Sequence, residues 1–405
     1  MPEVTTKATA ASANRRTSYA VLSTSILARL QQGMAPLAVV LLVQQRTGSI
    51  AAAGWAAGAW SLAAAFGQPL WAKPAGQGRA ELVIAATSVA QAAVLLTLAL
   101  SSVTVTVGLV ALAGLGGLLD PPTSPVARTL WPELANDQHE LDALFTLDTT
   151  TQELIFIAGP AAVAILVTVE GPAAALTVAA AAGAMGGLLF AFTIRRLWTP
   201  HPRSHGSGHL GGGLVAPFVT LYLTALGLGH VEVGVPAAAI LDGNRGASGW
   251  LLAVWSLGSL VGGVIASRIL WRGRPADRLT GLLLGLAAGT GVVVLAWQAG
   301  LGWLGAGLFV AGLALAPTLA ACHGVIGDVA ELERRTDAFA WAITFILLGI
   351  GSGAALGGVL AEQSPTWAFT AAASAILVAL VAWLTLRRDR SASVISTGPK
   401  TPKSD

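Results

Sequence analysis

Polar residues are so sparse along this chain that its hydrophobic pattern resolves into twelve long apolar runs separated by short polar breaks. A helix crosses a hydrocarbon core with about 20 apolar residues. The runs predict helices over 19–43, 50–72, 80–100, 104–127, 141–168, 171–193, 213–240, 247–270, 279–298, 302–327, 337–361 and 366–386. The expected fold class is therefore an all-α membrane protein with 12 transmembrane helices. The first run lacks a small-residue cleavage pattern and is expected to persist as helix one rather than leave as a signal peptide.

The second six runs repeat the first in a single register. Gly54-Trp55 recurs as Gly249-Trp250, Trp60-Ser61-Leu62 as Trp255-Ser256-Leu257, Gly67 as Gly262, Lys73 as Arg268 and Gly78-Arg79 as Gly273-Arg274, each 195 positions on. The same offset carries Pro122-Thr123 onto Pro317-Thr318 and Asp142-Ala143 onto Asp337-Ala338. Chance likeness among Ala/Gly-rich helices does not hold register over that length. An even number of crossings per half gives both halves the same orientation, so the repeat is parallel, about a pseudo-two-fold axis along the membrane normal. The expected organisation is a tail over 1–18, a six-helix lobe over 19–193, a linker over 194–212, a second six-helix lobe over 213–386 and a tail over 387–405. Secondary transporters share this plan, with substrate held between the halves near mid-bilayer.

Composition agrees with immersion in lipid. Charged residues make up 11% of the chain and hydrophobic ones 54%, where a soluble domain carries about 25% charged; mean hydropathy is +0.71. The net charge of +3 sits in short loops, where it sets orientation, so no nucleic-acid partner is expected. Twenty of the 23 Lys and Arg fall in tails and loops on one side, against Arg46 and Arg245 on the other, with Arg29 inside helix one. Both termini are accordingly expected in the cytoplasm, with the chain multi-pass in the cell membrane. The one cysteine, Cys322, excludes an intrachain disulfide and a cysteine metal cluster. His201, His205 and His209 lie in a Gly/Pro-rich linker that holds them on no common face, so no metal is expected there. The tail from Ser391 to Asp405 is polar and expected to be disordered.

An ionisable side chain at mid-bilayer costs on the order of 3 kcal/mol and usually faces a partner or a water-filled cavity. Arg29 lies about eleven residues into helix one, on a stripe with Ser25, Gln32, Gly33 and Pro36. The stripe is expected to line the central cavity; the alternative is an ion pair that locks helices within the first lobe. Helix five carries Asp148, Gln152 and Glu153. Asp148 aligns with Gln152, while the two carboxylates lie roughly 140° apart. Because burial and loss of a cationic neighbour both favour a protonated carboxyl, Glu153 is the first candidate for proton coupling, alternating between Arg29 and the cavity; a permanent Arg29 to Glu153 bridge is the alternative. Asp148 and Glu232 are the further proton-coupling candidates. Asp120 precedes Pro121 and Pro122, which break the helix ladder, so Asp120 and Arg128 sit on irregular helix with a gating or a structural role. His230 and Glu232, two residues apart, point in opposed directions on a regular helix. His323 occupies the repeat position of Arg128, at the inner mouth. Of the 13 tryptophans, Trp341 is the candidate to stack on a substrate, and Trp60 and Trp255 are repeat mates expected to pack alike. No phosphate-binding lysine loop, helical zinc-ligand pair or nucleophile elbow is present, so neither enzymatic activity nor a cofactor is expected.

On the motifs that follow, the whole chain apart from its tails resembles the major facilitator superfamily, and especially its twelve-helix drug/proton antiporter-like members of actinobacterial type. The motifs are Ala28-Arg29-Leu30 through Gly33-Met34-Ala35-Pro36, Leu147-Asp148 through Gln152-Glu153, Gly159-Pro160, Ala316-Pro317-Thr318, and Asp337-Ala338-Phe339-Ala340-Trp341. Gly159-Pro160 looks like the core of the exporter motif, followed here by Ala162-Val163 where a small pair is the rule. The loop after helix two departs from the superfamily signature, with Gly76 where an aspartate is usual. The resemblance implies the fold of that superfamily, alternating access, proton-coupled efflux of a hydrophobic or amphiphilic small molecule, and a functional monomer whose partners are lipid, substrate and protons. An importer or facilitator of a small metabolite on the same fold is the alternative reading.

Overall fold

A computed structural model of the chain describes residues 2–198, 212–269, 274–331 and 334–396. Most of the expected linker, with its three histidines, and residues 397–405 lie outside the described residues. Those described form thirteen α-helices: α1 (Pro2–Thr47), α2 (Ile50–Pro74), α3 (Ala80–Leu100), α4 (Thr106–Leu118), α5 (Thr123–Leu134), α6 (Gln138–Val169), α7 (Pro172–Ile194), α8 (Val215–Leu241), α9 (Ala247–Ile269), α10 (Pro275–Gln298), α11 (Leu301–Val329), α12 (Arg335–Gln363) and α13 (Pro365–Ser396). Lipid admits only helices and closed barrels, which satisfy their own backbone polar groups, and apolar runs of about 20 residues select helices.

Ten helical stretches among the described residues are long and apolar enough to cross a membrane. One of them, Ile50–Leu100, has 51 residues, about 75 Å of helix against a hydrocarbon core of about 30 Å. It is broken between α2 and α3 by non-helical dihedrals at Gln77 and at Gly78, whose φ of +92° is strained for any residue with a Cβ. The expected single helix over 104–127 is instead α4 and α5, parted at Leu119 to Pro122. Pro121 and Pro122 have no N–H to give and push the preceding residue out of the α region. The carbonyls freed by the break find other donors: Trp71 Nε1 donates to Leu118 O at 2.7 Å and Gln91 Nε2 to Gly116 O at 2.9 Å. α1 begins within the expected tail, and α13 runs past residue 386.

Packing is asymmetric along the helices. At one end, apolar residues of both halves form one core, in which Leu41, Leu98 and Val167 join Val235, Leu304 and Phe369. At the opposite end the core divides. Val21, Ile84 and Trp131 pack with Ile194 in the first half, while Leu279, Ile326 and Trp383 pack together in the second. The start of α1 and the last turns of α13 both belong to this divided end, here called the terminal end; the other is the far end.

Two helix crossings close the far end. α2 meets α12 where Gly54 faces Gly358, and a Cβ on Gly54 would stand 2.6 Å from both Gly358 Cα and Ala354 O. α6 meets α9 where Gly249 faces the Pro160 carbonyl. Glu362 of α12 adds a polar tie, with its Oε2 accepting from Ala51 N at 2.8 Å and Ser49 Oγ at 3.2 Å at the start of α2. Within each half the glycines pack alike: Gly67 lies on Leu118 and Gly262 on Leu313, Gly117 on Trp60 and Gly312 on Trp255, each pair having its mate 195 positions later.

Candidate functional site

Below the joined core, between the halves, lies a cavity of about 660 Å³ that runs toward the terminal end. Glu153 and Phe156 of α6 line it from the first half; Glu232 of α8 and Trp255 of α9 line it from the second, with Arg278 of α10 and His323 of α11 farther along. Most of its surface is apolar. Neither Glu153 nor Glu232 makes a hydrogen bond or ion pair among the described residues. Two carboxylates from opposite halves therefore share one largely apolar chamber, of a size that suits a drug-like molecule. His323 is held by its Nδ1, 2.8 Å from Leu319 O, and its ring stacks on Phe339 at 6.1 Å. His230, by contrast, is buried with Nδ1 2.6 Å from Leu226 O and lies against Gly357, so only Glu232 of that pair faces the cavity.

Arg29 does not reach Glu153. Its Nη2 pairs with Asp148 Oδ1 at 2.9 Å, both side chains fully buried, and Arg128 Nε of α5 takes the other oxygen of Asp148 at 2.8 Å. Arg29 also donates to Gln152 Oε1 at 3.1 Å, Ser25 Oγ at 3.1 Å and Ser25 O at 3.2 Å. The reason is helical phase. Asp148 and Gln152, four apart, stack on the α6 face turned to α1, whereas Glu153 is rotated about 100° from Gln152 and faces the cavity. The polar stripe of α1 is thus not a cavity wall: Ser25 and Arg29 are buried in the first half, and the cluster ties α1, α5 and α6 together. Gly33 of the same stripe abuts Gly159 of α6, so Gly159 and Pro160 form a close crossing with α1 on one side and α9 on the other.

Asp120, at the α4 to α5 break, meets no cation among the described residues. Its oxygens accept from four glutamine amides: Gln31 Nε2 at 3.1 Å, Gln32 Nε2 at 3.3 Å, Gln68 Nε2 at 2.8 Å and Gln91 Nε2 at 3.5 Å. Asp120 and Gln32 therefore belong to this cage, while Gln152 belongs to the Arg29 cluster. Trp341 is 49% exposed, 6.3 Å from the Phe345 ring, and is not part of the cavity wall. Gln31, Gln68 and Gln91 carry no charge and, unlike Gln32 and Gln152, lie on no helical stripe with an ionisable residue of their own helix, so the sequence does not single them out. The available signal is a glutamine within an apolar run, since an amide left unpaired in lipid costs several kcal/mol, roughly 2–7 by transfer scales.

The Major Facilitator Superfamily family model matches residues 206–404. Solved transporters match almost the whole chain in shape. The nucleoside transporter NupG is 15% identical with a TM-score of 0.71, over 92% of this chain and 99% of its own. A bacterial homologue of the iron transporter ferroportin in an inward-facing state is 12% identical with a TM-score of 0.72, over 92% and 98%. A mutant of the peptide transporter POT is 12% identical with a TM-score of 0.67, over 92% and 94%. At these identities the likeness concerns the fold. No curated protein sequence matches the chain. The family model covers just under half of the chain, and what the chain shares with these solved transporters is their fold.

Proposed function

We propose that this chain is a secondary active exporter, exchanging a hydrophobic or amphiphilic small molecule that carries positive charge for inward-moving protons by alternating access. The observation that carries the reading is one largely apolar chamber holding Glu153 from one half and Glu232 from the other, neither with a cationic partner among the described residues. A carboxylate that holds a substrate cation has no room for a proton, and the reverse, so exchange at Glu153 and Glu232 is obligatory antiport. Asp148 is the less apt of the three candidates, because both its oxygens are taken by arginines. The joined far end and divided terminal end are the arrangement of a chamber open toward the termini. Glycine contacts that recur 195 positions on support two six-helix halves, over 19–193 and 213–386, related by a pseudo-two-fold axis. Counting the broken Ile50–Leu100 stretch as two crossings and α4 with α5 as one gives twelve in all. The bias of basic residues favours a cell-membrane protein with both termini in the cytoplasm, and one chain encloses the whole chamber, as a monomer requires.

The test is substrate-evoked proton movement in everted vesicles or proteoliposomes, with lipophilic cations screened beside neutral and anionic compounds. Release of lumenal protons by cations, abolished in Glu153→Gln and reduced in Glu232→Gln, is expected. Full proton-driven transport by Glu153→Gln, or a preference for anions, refutes the assignment.

A further inference from the structure

Asp120 and its four amides make a second polar site, apart from the chamber. Asp120 is 9% exposed, Gln31 1% and Gln91 2%, while Gln32 and Gln68 are half-buried. The charged groups on the elements around it are engaged elsewhere or absent from it. Arg29 and Arg128 are on Asp148, and Arg46 donates to Ala99 O and Val103 O. Lys73 of α2, Glu81 of α3 and Glu133 of α5 are not among its bonding partners, and α4 carries no charge. A carboxylate in a low-dielectric interior without a cation depends wholly on hydrogen bonds.

The choice of amide over guanidinium matters chemically. Arginine only donates, whereas a glutamine amide donates through Nε2 and accepts through Oε1, and a half-turn of the group exchanges the two. Gln91 is anchored, because its Nε2 also donates to Gly116 O. Gln31 is not: its Oε1 is buried with no donor, so nothing at that end fixes the amide in one orientation. Turned over, it offers Asp120 Oδ1 the acceptor that a carboxylic acid O–H needs. The cage can therefore hold the group in either state, which the two arginines on Asp148 cannot do.

We infer that Asp120 with Gln31, Gln32, Gln68 and Gln91 is a proton-binding site in the first half. A hydronium ion at the half-buried Gln32 and Gln68 side gives its proton to Asp120 Oδ1 and becomes water, and the new O–H donates to the turned Gln31 Oε1; release is the reverse, with the O–H breaking and the proton returning to a water molecule. The charge it removes is the one on which amides of α1, α2 and α3 converge at the α4 to α5 break, so occupancy bears on how those helices are tied. This deepens the proton-coupled reading above and rests on it for its role in transport, though the site itself does not.

Infrared difference spectroscopy against pH, on the full chain in lipid nanodiscs, reads the site without any cargo. A titrating carbonyl band of a protonated carboxyl is expected, lost in Asp120→Asn, displaced in frequency in Asp120→Glu and in Gln31→Met, and retained in Glu153→Gln and Glu232→Gln. Size-exclusion profiles identify variants that fold, and Asp120→Glu keeps the carboxyl should Asp120→Asn not. No change of the band in either Asp120 variant overturns the site. If the band behaves as expected while no compound evokes proton movement in vesicles, the proton site stands and the exporter reading falls; efflux without the band has the opposite meaning.

Discussion

Asp148→Asn should be among the most destabilising substitutions in the chain. It removes the one anion from a cluster with two guanidiniums, and Arg29 is then left fully buried with neutral acceptors alone, those of Ser25 and Gln152 and the amide oxygen that replaces the carboxylate. Breaking a buried ion pair by removing one partner costs about 3–5 kcal/mol. Arg128 adds little, because its side chain is 45% exposed and an exposed pair is worth about 1 kcal/mol or less. The asymmetry provides a second check. Arg29→Met leaves Asp148 still paired with Arg128, so its cost is that of a lost charge-assisted hydrogen bond, about 1.5–3 kcal/mol. The double variant Arg29→Met with Asp148→Leu replaces ions by apolar groups, which is commonly neutral or stabilising, and should be more stable than Asp148→Asn alone. Reversible unfolding in mixed micelles with a denaturing detergent measures this directly. The expected change in the unfolding constant for Asp148→Asn is about two to nearly four orders of magnitude, at about 1.4 kcal/mol per tenfold. A loss within about 1 kcal/mol, or a double variant less stable than the single one, refutes the reasoning that this pair holds α1 to α6.

Two further predictions concern the closed far end. Gly54→Leu places a Cβ 2.6 Å from Gly358 Cα, where carbon atoms normally stand about 3.5 Å apart or more; α2 and α12 must separate by about 1 Å or more, and spin-label distances across the far end should lengthen, an unchanged distribution counting against the crossing. Glu362→Gln removes an anion at the start of α2, worth about 0.3–1 kcal/mol when exposed, so the ratio of far-end-closed to far-end-open molecules should fall by up to about fivefold. That difference from wild type should shrink with added salt, and a salt-independent effect would mean that the tie is not electrostatic.

The helical stretches were legible because each depends on local information. A run of apolar residues dictates where backbone groups must satisfy themselves, so 171–193 and 247–270 were read to within a residue or so of α7 and α9. The break at Asp120 was foreshadowed by Pro121 and Pro122, although its consequence, two helices in place of one, was not. Helical phase separated Asp148 from Glu153 and aligned Asp148 with Gln152. It did not say which carboxylate would meet Arg29, since that depends on the rotation and depth at which α6 is set against α1, and Gly33 on Gly159 sets that approach.

Sequence by itself determined the membrane-spanning helices, the repeat of 195 positions and the short inventory of polar groups that lipid makes expensive. Tertiary structure alone decided their partners. The amides around Asp120 come from positions 29 to 89 residues away in the chain, and no periodicity links contacts across such distances; they converge because an unpaired polar group in a low-dielectric interior must find a donor wherever packing supplies one. It also decided which end of the bundle is joined. Apolar residues at helical spacing line both the common core at the far end and the two separate cores at the terminal end, so that spacing is blind to the choice, which rests on close crossings between whole helices.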